Sequence, residues 1–167
     1  MGILETIQGS AFPTWVRESP SIFGYTAILS LHAIGLATVV GVNSIVAISL
    51  LGGAPKVPLR PTLRFFPVMY AGFWINALSG LALLAANASG MLANTMFYIK
   101  MVFVALAVVC LRLIRNLVFG NAAAIDTGVL PAQARTLAIG SLACWTLAII
   151  SGRLTAYPNF VETWLGI

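Results

Sequence analysis

Three ionisable residues stand where an apolar chain can least accommodate them. His32 is the single histidine and lies in a stretch with no charged residue between Glu18 and Lys56. Lys100 falls near the start of another apolar stretch, and Arg153 near the end of a third. An ionisable group in a bilayer span costs several kcal/mol unless it is paired or hydrated, so each needs a chemical reason. A neutral imidazole with two cations at a similar depth is a donor set suited to a b-type haem. The imidazole would coordinate iron, apolar side chains would enclose the porphyrin, and Lys100 and Arg153 would pair with its propionates. With no second histidine in the chain, the sixth iron position is left empty, or filled by Met69, Met101, Lys100 or a neighbouring subunit. Two plainer readings compete. His32 could hydrogen-bond across a helix pair, and the cations could snorkel to the interface as anchors.

The elements that must position these residues are membrane spans. Hydrophobic residues make up 60% of the 167-residue chain and charged residues 8%. Soluble domains carry roughly 25% charge, so lipid must cover most of this surface. The expected fold is an all-α integral membrane four-helix bundle, a single domain over 1–167. Its spans are expected at about 22–51, 65–88, 95–119 and 135–157. Each exceeds the roughly 20 residues that cross a bilayer. Pro20 precedes the first span, and Gly52, Gly53 and Pro55 end it. Residues 3–18 and Phe160–Ile167 carry aromatic and aliphatic side chains among polar ones and read as short interfacial segments. The 120–134 connection reads as a short surface helix or coil.

Helical phase places the candidates on inward faces. His32, Gly35, Val39 and Asn43 recur at spacings of three and four, as do Lys100, Val104, Ala107 and Leu111. Gly72, Asn76 and Gly80 repeat every four residues, a small-residue stripe that permits close helix approach in lipid and puts Asn76 near the site. Cys110 and Cys144 form no CxxC pair and read as buried small hydrophobes. Trp74 and Trp145 read as packing or lipid-facing residues, and Arg112 and Arg115 as orientation signals.

The net charge of +5 has a topological rather than a nucleic-acid origin, because the basic residues form no aromatic-interleaved patch. Lys56, Arg60, Arg64, Arg112, Arg115 and Arg135 fall on one side of the expected spans, six of nine basic residues. The positive-inside rule then puts both termini on the non-cytoplasmic side of a bacterial inner membrane.

Three runs carry a resemblance: Glu18–Tyr25 (ESPSIFGY), Leu31–Ala37 (LHAIGLA) and Ser151–Pro158 (SGRLTAYP). On these the chain resembles an uncharacterised family of small bacterial four-helix membrane proteins. More distantly, Leu31-His32, Gly80-Leu81 and Lys100 look like the Leu-His, Gly-Leu and Lys features of CopD-type and HemJ-type bundles. That likeness implies His32 as an iron ligand and Lys100 as its haem-site partner. The chain departs from the pattern in its N-terminal extension and Gly152-Arg153 element, so the oxidase activity of HemJ-type proteins does not transfer.

The leading functional expectation is a haem b electron-transfer subunit between the quinone pool and a partner on the non-cytoplasmic face, not a stand-alone enzyme. The partners expected are the lipid bilayer, a quinone, and either further copies of the chain or the other subunits of a membrane complex. The alternative is a cofactor-free accessory subunit, since no nucleophile–base pair, metal-spaced cluster or phosphate-cradling loop is present. A copper-handling or transport protein ranks last, because paired intramembrane carboxylates and regularly spaced methionines are lacking.

Overall fold

The computed structural model describes residues 2–52, 59–120 and 130–157, and the expected segment Phe160–Ile167 lies outside them. The fold is all-α, with no strand among the described residues. Two short helices, α1 (Ile3–Gln8) and α2 (Ala11–Glu18), precede α3 (Tyr25–Leu50). After α4 (Leu59–Thr62) a 3-10 turn at Leu63–Phe65 leads into α5 (Phe66–Ala86), followed by α6 (Ala88–Leu92). Next comes α7 (Thr95–Ile114), extended by a π-helical turn at Arg115–Phe119, and then α8 (Gln133–Leu154). Tyr25–Leu50, Leu63–Ala86, Thr95–Phe119 and Gln133–Leu154 are long and apolar enough to cross a membrane.

The third expected span, 95–119, is found at those bounds, and the other three shift by one to three residues at their ends. The first begins at Tyr25 rather than residue 22, because Ile22 and Phe23 occupy an exposed turn that closes at Gly24. The second ends at Ala86 because Asn87 leaves the helical region, at φ −139° and ψ 52°. The fourth starts at Gln133, directly after a turn in which the Ala134 amide bonds the Pro131 carbonyl at 2.9 Å. Residues 121–129, most of the connection expected to be a surface helix or coil, lie outside the described residues.

The four long helices pack as two hairpins. α3 pairs with α5, α7 pairs with α8, and α3 against α8 joins the hairpins, whereas α5 and α7 barely meet. The tightest approach is between α3 and α5. A Cβ added to Gly35 would stand 2.6 Å from the Asn76 amide nitrogen and 2.8 Å from the Gly72 carbonyl oxygen. One added to Gly72 would stand 2.8 Å from the Thr38 side chain. Lipid gives helices little hydrophobic reason to associate, so this backbone contact supplies the attraction by dispersion.

The α8 face follows the same logic. Ala134, Ala138, Ser141, Ala148 and Ser151 are buried at helical spacing, with Trp145 as the one large side chain among them. Ser141 donates to Asn43 Oδ1 at 2.6 Å, a buried link between the hairpins. Both Val118 and Phe119 are buried because the π-helical turn rotates consecutive side chains inward, setting Phe119 edge-on to Phe66 with centroids 5.1 Å apart.

The ends are stitched by polar contacts. Arg17 donates to the Ala86 carbonyl at 3.3 Å, placing a cation at the C-terminus of α5, where the helix dipole favours it. Asn94 caps α7 by accepting from the Met96 amide at 2.9 Å, and its amide donates to the Thr155 carbonyl at 3.1 Å. α2 buries Pro13 and Val16 and exposes Phe12 and Trp15, as an interfacial helix should. This is the terminal end of the bundle. Arg64, Arg112, Arg115 and Arg135 gather at the opposite, arginine end.

The glycine contact generates a paired prediction. Gly35→Ala should cost about 1–3 kcal/mol, because the new methyl group meets backbone rather than a movable side chain. Gly41 faces open space on the same helix, so Gly41→Ala should be neutral or slightly stabilising. Thermal unfolding in detergent distinguishes the two, and equal melting temperatures would contradict this packing.

Candidate functional site

His32 sits two helical turns into α3, on the face that meets α5. Its Nδ1 lies 2.9 Å from the Asn76 carbonyl oxygen and 3.3 Å from Ser79 Oγ. A carbonyl only accepts, so Nδ1 carries the proton and donates, which assigns the tautomer. The Asn76 side chain answers from the other direction, its Nδ2 donating to the His32 backbone carbonyl at 2.8 Å. Ser79 Oγ turns back to the Ile75 carbonyl at 2.5 Å. Nδ1 is thus held, while Nε2 has no hydrogen-bond partner among the described residues.

Gly80 makes this seat possible. A Cβ there would stand 3.0 Å from His32 Cε1, so the edge of the ring rests against bare backbone. The glycine stripe of α5 therefore has two jobs: Gly72 admits α3, and Gly80 admits the imidazole. Asn76, midway between them, supplies two hydrogen bonds to the same residue, one through its backbone and one through its side chain.

Lys100 is close enough to the imidazole for the two groups to interact electrostatically. Its stem lies along α8 at Gly152, where an added Cβ would stand 3.3 Å from Cδ and 3.7 Å from Nζ. No carboxylate or hydrogen-bond acceptor engages the ammonium among the described residues. Arg153 is brought only to the edge of this group. It is exposed, donates to Tyr157 at 3.4 Å and lies over that ring at 5.6 Å.

The two methionines expected as iron ligands are placed elsewhere. Met101 is 48% exposed, because it follows Lys100 by one residue and so turns outward on α7. Met69 is buried but lies seven residues from Asn76 along α5, about 10 Å toward the arginine end. Neither is among the residues that contact His32. Cys110 and Cys144 are free and only partly buried, less enclosed than expected. Trp74 is exposed and Trp145 is core, which divides the two tryptophans that the sequence left together.

Sequence reasoning missed a second feature. Where α5 and α7 fail to meet, a cleft of about 180 Å³ opens, lined by Met69, Tyr70, Phe73, Trp74, Arg112 and Trp145. Trp145 is 3% exposed, and its Nε1 has no acceptor among the described residues, a condition worth about 1–3 kcal/mol when uncompensated. Asn43 Nδ2 is likewise unpartnered. Arg115 donates to the Tyr70 hydroxyl at 2.7 Å and stands over its ring at 5.4 Å, so it is a structural clasp as well as a positive charge. One signal was available: Trp145 interrupts a stripe of Ala and Ser, and a lone large side chain there has to fill or border a gap.

No protein family, curated protein or solved structure matches the chain. Among the described residues no group of three or more His, Cys, Asp or Glu could hold a bare metal ion. The chemistry available at the terminal-end site is therefore that of a single imidazole with an oriented, open Nε2 and a neighbouring unpaired ammonium.

The tautomer is directly testable, since a single histidine gives a single imidazole signal. In protein labelled with 15N-histidine, long-range correlation spectra should show a protonated Nδ1 and an unprotonated Nε2. Gly80→Val should shift that signal by displacing the ring. A protonated Nε2 would show that the Asn76 carbonyl does not hold the ring.

Proposed function

We propose that this chain is a b-type haem-binding membrane subunit for electron transfer. The observation that carries the reading is the His32 ring, whose Nδ1 proton is committed to the Asn76 carbonyl while Nε2 is left without a partner. Histidines that ligate metals characteristically donate their other ring nitrogen to a carbonyl, which fixes the ring and raises its basicity. The resemblance of Leu31-His32, Gly80-Leu81 and Lys100 to haem-binding bundles points the same way.

The residues fit such a group in part. His32 would hold the iron, and Lys100 and Arg153 would pair with the propionates, which supply the anions that these cations lack within the described chain. Asn76 and Ser79 orient the imidazole, and Gly80 leaves space for it. The macrocycle has no room between α3 and α5, whose backbones touch at Gly35 and Gly72. The positions of Met69 and Met101 leave the sixth position open, or to Lys100 or another chain. When bound, haem supplies one-electron redox chemistry that no side chain here could provide.

The charge distribution supports a setting as well. The basic residues concentrate at the arginine end, so the positive-inside rule puts that end in the cytoplasm and the His32 end toward the other face of a bacterial inner membrane. Electrons would pass between the quinone pool and a partner docked on that outer face. A cofactor-free accessory subunit is the second reading, favoured by the close α3–α5 contact, which leaves a macrocycle no room between those helices.

Purified protein from haem-replete cells should show a Soret band. His32→Ala should abolish it while leaving the elution profile unchanged. Lys100→Gln with Arg153→Gln should lower haem occupancy roughly two- to fivefold, the range of modest ion pairs. Absence of any band beyond the aromatic protein absorbance would overturn the proposal, and a stoichiometric partner without pigment would favour the accessory role.

A further inference from the structure

We infer that the cleft between α5 and α7 is a binding site for the head group of a para-quinone. This deepens the electron-transfer reading by giving the quinone a place, but the binding itself does not require haem. The cleft opens between exposed Trp74 and Arg112, so its ligand would arrive from the bilayer. Its walls are aromatic: Tyr70, Phe73, Trp74 and Trp145, with Phe73 and Trp74 edge-to-face at 5.8 Å. Flat rings with polarizable faces suit such walls.

The polar groups choose among flat ligands. Trp145 Nε1 is a buried donor with no acceptor among the described residues. Arg112, lining the cleft, has no acceptor among the described residues. No carboxylate lines the cavity and the Arg112 charge stands at it, which opposes a cationic ligand despite the aromatic faces. The Tyr70 hydroxyl already accepts from Arg115. What is missing is therefore an apolar ring with acceptor oxygens at more than one edge.

Depth separates a quinone from a phospholipid. Cys110 meets α8 at Gly140, so residue 140 and residue 110 are level. Trp145 is five residues beyond Gly140 in one direction and Arg112 two beyond Cys110 in the other, about 10 Å of axial separation. Side chains on α8 lean toward its N-terminus, which carries the indole back toward Arg112. A phosphate on Arg112 would leave only an acyl chain near the indole, and its N–H would stay unpartnered. A ring with carbonyl oxygens on opposite edges carries one acceptor for each of the two donors.

The cleft also lies conveniently with respect to His32. Val39, which lines it, is seven residues along α3 from His32, about 10 Å by helical rise. A quinone ring there would be about two helical turns from the imidazole.

The test is photo-labelling of the full chain in nanodiscs with an azido derivative of a short-chain ubiquinone. Label should fall on residues 69–74 and 108–112 and be protected by excess unreactive analogue. Val108→Phe, which fills the cleft, should reduce labelling at least fivefold. Trp145→Phe keeps an aromatic side chain but removes the donor, and should raise the half-protecting concentration about three- to tenfold. It also serves if Val108→Phe fails to elute as a single species. Label scattered over lipid-facing positions, or insensitive to competitor and to both variants, would overturn the proposal. So would protection by phosphatidylglycerol but not by the quinone analogue, which would make this a lipid site. Either result leaves the Soret test of His32 untouched.

Discussion

The backbone contact between α3 and α5 at Gly35 and Gly72 governs what His32 can do. Imidazole reaches the Asn76 carbonyl at 2.9 Å only because the helices are close enough for one side chain to span the gap. Larger residues at either glycine would separate the backbones and carry Nδ1 out of hydrogen-bonding range. Gly80 then removes the last obstruction beside the ring. In a bilayer such a contact matters doubly. It supplies packing where lipid supplies no driving force, and it shelters a polar side chain that would otherwise lack partners.

That tight pair has a consequence across the bundle. With α3 bound closely to α5, and α7 to α8, the hairpins join through the small-residue face of α8 and the Asn43–Ser141 hydrogen bond. Joining on one side leaves the other side open, and Trp145 projects from α8 to border the opening. The cleft is thus a by-product of asymmetric packing rather than an interruption of a helix. The aromatic residues along it other than Trp145, namely Tyr70, Phe73 and Trp74, all come from α5.

Much of this was legible in the sequence. Long apolar runs with few charges give four spans to within a few residues, and the periodicities of His32–Gly35–Val39–Asn43 and of Gly72–Asn76–Gly80 put each set on one face of its own helix. What periodicity cannot give is which faces meet. Met69 and Met101 are both plausible thioethers by composition. Their exclusion depends on axial level for Met69 and on a rotation of about 100° per residue for Met101. Arg153 shares the level of Lys100 but not its direction, since Gly152 is the residue that takes the lysine stem. The cleft was invisible because it depends on two helices failing to meet, which no single helix encodes. Trp145 was the one trace of it, a large ring in a row of alanine and serine.

Charge in this bundle is distributed in a way that bears on function. Among the described residues the only ion pair is Arg17–Glu18, at an exposed end. Lys100 and Arg112 therefore stand at or near the apolar region without acidic partners, one beside the imidazole and the other beside the cleft. A packing role alone would not favour retaining such cations, because leucine or methionine would fill the same volume without desolvating a charge. Snorkelling accounts for each cation singly, by letting the head reach the interface. It does not account for Gly152 making way for the Lys100 stem, or for Arg112 lining a cleft beside Trp145, whose buried Nε1 has no partner among the described residues. Each place holds a cation whose charge no carboxylate offsets among the described residues, and the first adds the open Nε2 of an imidazole that is held by its other nitrogen.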